Sequence, residues 1–317
     1  MNTATSRLLL SLTVLAALPA APRAACAQDF ATRITGSSHL GGAPYDDPTA
    51  ALGAPAASTD DGFGDIYHDS MVYSAYGTDT ATHKNALAGF DSSGQGTLTV
   101  RFDTPITHSA AHWYGEDFLV FSNQFFTGGP GFVNADGDPH PTDMSQYFLS
   151  SGATTGTLPA VSVSADGVTF YALRPASAVL FPANPYHWDG LSASEPTGWG
   201  ALQDFTKPVN PALTSASFTT DPQGRPVSVA YAADVLYDGS AGGTPFTLAG
   251  LTDAHGQPIT SISYIRFASD ASGAGVVDAV SRVSANPNAA PEPGAWVVLG
   301  LGAGGLLTLR GRRRHAA

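Results

Sequence analysis

Oxygen-bearing side chains in short, glycine-rich runs are the first residues of this 317-residue chain whose spacing could do chemistry. Asn134, Asp136 and Asp138 alternate around Gly137. Calcium takes six to eight oxygen ligands, and a loop of this kind supplies several of them. The run departs from the EF-hand pattern, because its glycine is displaced and no glutamate closes it. Asp60, Asp61 and Asp65 around Gly62 and Gly64 form a second acidic cluster. Calcium at either place is one expectation. An ordinary polar turn is the other, since Asp and Gly make turns of every kind.

Glu116 and Asp117 lead into an apolar run. A glycosidase needs two carboxylates facing each other across a sugar. Neighbours on a strand point to opposite faces, so these two are not expected to form that pair. The histidines of the body are His39, His68, His83, His108, His112, His140, His187 and His255, and none stands in a His-Glu-x-x-His spacing. His108 and His112 are four apart, a spacing that joins ligands on a helix, whereas Pro105 and strand-like neighbours argue against one. No Gly-x-Ser-x-Gly elbow occurs, and Gly239 to Gly243 lack the Lys-Ser/Thr of a phosphate loop. Flat rings that could stack on a sugar stand at Trp113, Trp188 and Trp199. The competing expectation is that these rings pin long loops onto the core.

The elements that must position these residues read as strands. Leu98, Val100 and Phe102 alternate within Thr97–Asp103, and Phe118–Ser122 is a compact apolar run. Ala160–Ser164, Asp166-Gly167 and Val168–Leu173 predict a hairpin with a two-residue turn. Val227–Tyr231, Phe246–Leu248, Ile262–Phe267 and Val276–Val280 predict further strands, with a helical turn over Asp234–Tyr237. No segment of the body keeps a helical period over a dozen residues. Two stretches, 36–96 and 175–226, lack clear strands, and loops of that length are uncommon unless functional or internally packed. The expected class is all-β: a β-sandwich, with a jelly roll as one form it could take, carrying long loops.

Both ends of the chain are apolar. Arg7, the run Leu8–Leu18 and Ala25-Cys26-Ala27 make a secretory signal peptide over 1–27. A lipoprotein anchor at Cys26 is the alternative, but Arg23 stands where a lipobox carries leucine. Cleavage after Ala27 leaves a body without cysteine, so core burial alone must stabilise it. At the other end Pro291, Glu292 and Pro293 close a linker over 286–293. An uncharged run over 294–309 and a basic tail over 310–317 with Arg310, Arg312, Arg313 and Arg314 follow. Sixteen helical residues at ~1.5 Å each span roughly 24 Å, slightly less than the ~30 Å hydrocarbon core. Trp296 suits an interface and the arginines the cytoplasmic side. The alternative, a buried core helix, does not account for four arginines crowded behind it.

Two of the 14 Lys and Arg fall in the signal and four in the tail, while only Glu292 of the 26 acids lies outside the body; the exported body over 28–285 therefore carries close to −17. Such a surface excludes nucleic acid and anionic lipid as natural partners. Of the acids 23 are Asp and three Glu, which favours turns and caps over helices.

The succession of signal peptide, Pro-Glu-Pro, apolar run and arginines resembles the PEP-CTERM sorting signal of Gram-negative bacteria. That resemblance implies processing near Pro291–Pro293 by an exosortase, transient membrane anchoring, and delivery to the cell surface or an extracellular polysaccharide matrix. The body is similar to a secreted β domain found in PEP-CTERM proteins. The resemblance is carried by Pro48–Pro55, Thr97–Ile106, Gly115–Asn123, Val161–Phe170, Tyr264–Phe267 and Val277–Val280 in that order. Ser122 stands where that pattern has an acid. The expectation is thus a non-catalytic adhesive or structural surface protein, with calcium as its one candidate cofactor. A carbohydrate-binding module or a secreted carbohydrate-active enzyme is the alternative.

Overall fold

The computed structural model describes residues 27–60, 66–129, 147–188, 199–269 and 275–289. The leader up to residue 26, the Pro-Glu-Pro motif, the apolar run and the arginine tail lie outside these residues, as do Asn134, Asp136, Asp138, Asp61 and Asp65. Among the described residues no helix is long and apolar enough to cross a membrane.

The fold is all-β. Its largest sheet is antiparallel and has five strands, in the order Arg33–Ser38, Thr97–Thr107, Ser261–Ala268, Ala160–Ser164 and Tyr171–Leu173. A three-stranded sheet sets Phe118–Phe121 between Thr244–Phe246 and Ala279–Arg282. The alternation read in the sequence explains the core. Leu98, Val100 and Phe102 of the long strand are buried with Val161, Val163, Ile265 and Phe267 of its neighbours, and the same cluster holds Phe118, Val120, Phe246 and Val280 of the smaller sheet. The rings of Phe118 and Phe246 stack within it, their centroids 5.0 Å apart. Pro105, which cannot donate to a ladder, falls where the register against Ser261–Ala268 slips, between Ile262↔Ile106 and Tyr264↔Arg101.

Three expectations need correction. The hairpin turn after Ser164 is longer than two residues: the return strand begins at Tyr171, opposite Val163. The cause is Asp166, whose carboxylate accepts from Val168 N (2.8 Å), Thr169 N (2.9 Å) and the Ser164 hydroxyl (2.9 Å) and so winds 166–169 into a cap. Val227–Tyr231 is not a strand. Ser228 Oγ accepts from Tyr231 N at 3.1 Å and starts a turn of helix, Val229–Tyr231, which continues into the wider turn Ala232–Leu236. Val276–Val280 is two strands: Val276–Val277 pairs with Ala88–Gly89, Ala279–Arg282 pairs with Phe118–Phe121, and Asp278 lies at the break.

The stretches without clear strands are internally packed. Ser58–Asp60 pairs with Ile66–His68 and Thr78–Asp79, and Tyr186–Trp188 pairs with Trp199–Leu202. A second core, built on Met71, Phe126, Phe181, Phe218, Val227 and Tyr237, lies under them.

Candidate functional site

Tyr114 and Gly115 both take left-handed backbone, at φ 56° and 74°. This reversal carries Glu116 and Asp117 into the interior just before the strand Phe118–Phe121 starts. Strand alternation therefore does not apply to the two acids, and both are buried. Asp117 is the hub of a knot. Its carboxylate accepts from His108 Nδ1 at 3.0 Å, His112 Nδ1 at 3.1 Å, Leu248 N at 2.7 Å and Ser109 N at 3.3 Å. Burial pushes its pKa up, but the hydrogen bonds from His112, Leu248 N and His108 outweigh that and hold it below the usual carboxylate value. A carboxylate can only accept, so each Nδ1 carries a proton. The spacing of His108 and His112 suggested ligands only on a helix. A turn at Ser109–His112 brings both rings to one carboxylate without one. Among the described residues neither ring makes a further side-chain hydrogen bond, so no hydroxyl is placed for either Nε2 to activate.

Glu116 faces a different environment. Its Oε2 is buried without a hydrogen-bond partner. Burial, and then the charge of Asp117, raise its pKa to about 7. A glutamic acid that titrates there has the acidity of a general acid, but the neighbouring carboxylate is committed to five donors, the Thr247 hydroxyl among them, and offers no second catalytic group.

Trp113 is half-buried against a small core of Phe30, Phe121 and Phe205. Lys207 Nζ sits 4.6 Å from its ring centroid and pairs with Asp238 Oδ2 at 3.0 Å. The ring is thus a loop pin with a cation over one face. Trp188 and Trp199 stand opposite each other on paired strands; their side chains lie outside the described residues. Asp60 ends a short strand opposite Ile66.

Two arrangements were not read from the sequence. Ser58 Oγ lies 2.7 Å from His68 Nδ1, across the register of their strands, and 3.3 Å from the Tyr186 hydroxyl. Asp69 and Asp278 are both almost fully buried. Asp69 Oδ1 accepts from the Thr59 hydroxyl at 3.1 Å and Asp278 Oδ1 from Ala56 N at 3.0 Å, while each Oδ2 lacks a partner. Burial first, and then for Asp69 the charge of Asp278 and for Asp278 that of Asp79, push both carboxyls well above the usual range. Among the described residues no three His, Cys, Asp or Glu side chains converge as metal ligands. Compared with known proteins, the sequence matches no family model and no curated protein.

Proposed function

We propose that this chain is an exported surface protein whose body is a non-catalytic β-sandwich, with an adhesive or structural task, routed by its C-terminal Pro-Glu-Pro, apolar and arginine segments. The sandwich consists of the five-stranded and three-stranded sheets, which share one core. The observation that carries the reading is the placement of the body's two ends. Phe30 bridges Ser281, and Ala31 N donates to Val280 O at 3.1 Å. The junction with the leader and the junction with the tail therefore leave the body side by side. A body held at one end suits a protein that is tethered during export and then released. The use of Asp117 as a structural hub supports a non-catalytic role, because the acid best placed beside Glu116 is already saturated with donors.

The test is localisation in the host with and without its exosortase. The chain is expected at the surface or in the matrix of the parent strain and in the inner membrane of the deletion strain. Equal surface display in both would overturn the sorting reading. The second reading, a carbohydrate-active enzyme or sugar-binding module, draws on the Ser58–His68 contact. It predicts that Ser58→Ala abolishes a hydrolase activity found by broad glycan and ester screening.

A further inference from the structure

Buried polar atoms nearly always find partners, so those that do not call for a reason such as a water or an ion. Among the described residues, seven buried side-chain atoms without one come from three short segments: Asp69 and Ser70, Ser122 to Gln124, and Asp278. The backbone brings these segments together. Asp69 N donates to Ala57 O at 3.0 Å, next to the Ala56 N–H that Asp278 holds. Asp278 N donates to Phe121 O at 3.0 Å, and Ala279 stands opposite Phe121. That bond sets Asp278 beside the end of the strand Phe118–Phe121, where Ser122 follows. Phe126 N donates to Met71 O at 2.7 Å, which draws the chain after Gln124 alongside Asp69–Met71.

Oxygens without a partner on these segments include Oδ2 of both aspartates, Ser122 Oγ and Gln124 Oε1, whereas Asn123 Oδ1 lies toward Gly156. Gln124 is 1% exposed and both ends of its amide are unpartnered. Among the described residues neither Asp69 nor Asp278 has a basic partner. Asp79 adds a third negative charge, but its own oxygens accept from Ala81 N, Thr82 N and the Thr82 hydroxyl. We propose that Asp69, Asp278, Ser122 and Gln124 bind one calcium ion.

Two carboxylates balance its charge, and hydroxyl and amide oxygens fill the coordination number that calcium tolerates. Magnesium demands near-ideal octahedral geometry and gives up its waters reluctantly, so it suits a buried set of side chains less well. A small cleft of about 30 Å³, walled by Asp79, Thr82, Lys84, Asn85 and Asp278, opens beside Asp278. Among the described residues Lys84 is the one basic group lining it. The ion would pin the segment around Asp69 to the point where the last strands pass from Ala88–Gly89 to Phe118–Phe121. Its ligands are other residues than those of the 134–138 and 60–65 runs, and it does not depend on the export reading.

The experiment uses the full-length chain in mild detergent, stripped with EGTA and titrated with calcium chloride by calorimetry and thermal melting. The native chain is expected to melt roughly 5 °C or more higher in millimolar calcium. Asp278→Asn is expected to lose one bound calcium and that shift. Without calcium it should melt at or above the native chain, since an unpaired buried charge has been removed. Gln124→Ala should weaken binding about tenfold or more (about 1.4 kcal/mol) and carries the test if Asp278→Asn does not fold. A double Asp136→Asn, Asp138→Asn variant should keep the response. No calcium response in the native chain would overturn the proposal. So would an equal response in Asp278→Asn and, where that variant does not fold, in Gln124→Ala; loss of the response only in the 136/138 variant; or an equal effect of magnesium chloride.

Discussion

Glu116 and Asp117 show how far two adjacent carboxylates can be driven apart by what surrounds them. Asp117 meets five donors, and its pKa is held below the usual carboxylate value. Glu116 is buried beside the charge of Asp117, and its pKa rises from 4.5 to about 7. A raised carboxyl pKa means that the folded state binds the proton more tightly. The stability it contributes is complete below about pH 4.5 and is lost as pH rises through about 7. Glu116→Gln should therefore flatten the dependence of melting temperature on pH across that window. At pH 8 it should be more stable than the native chain, by at most about 3 kcal/mol, and at pH 4 the two should match. A native melting curve as flat as that of the variant would show that Glu116 is not buried as described. Neither the Asp117 knot nor the Asp69–Asp278 cluster was legible in the sequence. His108 and His112 have no metal spacing and meet only through a turn and a distant carboxylate. Asp69 and Asp278 lie far apart in the chain, and burial, which gives them meaning, is not written in either residue's neighbours.

Strands with strict alternation were legible because half of their residues must face a core. Thr97–Asp103 and Ile262–Phe267 fell where period two predicts, and they became neighbours in the large sheet. The misreadings occur where a short polar side chain redirected the backbone. Ser228 capped a helix in a β-rich run, and Asp166 wound a cap where a tight hairpin turn was expected. Asp278 interrupted Val276–Val280 and split one apolar run between two partners. The short strands inside 36–96 and 175–226 escaped notice because two or three residues carry no measurable period. Close approach between elements gives a test at this scale. The strand Phe148–Thr155 passes the turn Ser215–Phe218 at Gly152, where an added Cβ would collide with the Ser215 carbonyl. Backbone cannot yield as a flexible side chain would. Gly152→Ala should thus cost about 1–3 kcal/mol, typical of overpacking, read as a lower urea midpoint. An unchanged midpoint would mean that the two elements do not pack this way.

At the scale of the whole molecule, a cysteine-free acidic body lies between two apolar ends, which we propose act as its address. Among the described residues, burial begins at Asp29 and Phe30, next to the expected signal-peptide junction, and Phe30 bridges Ser281 of the last strand. The two ends of the described body thus lie close together, which suits the tether-and-release route we propose. The all-β class followed from composition and alternation, while the route follows from the order of three short segments at the C-terminus. The most direct test of that route is the intact mass of the protein recovered from the surface or medium of its host. The account predicts a chain that begins at Gln28 and ends at or near Pro291–Pro293. A mature chain that still ends at Ala317 would contradict it.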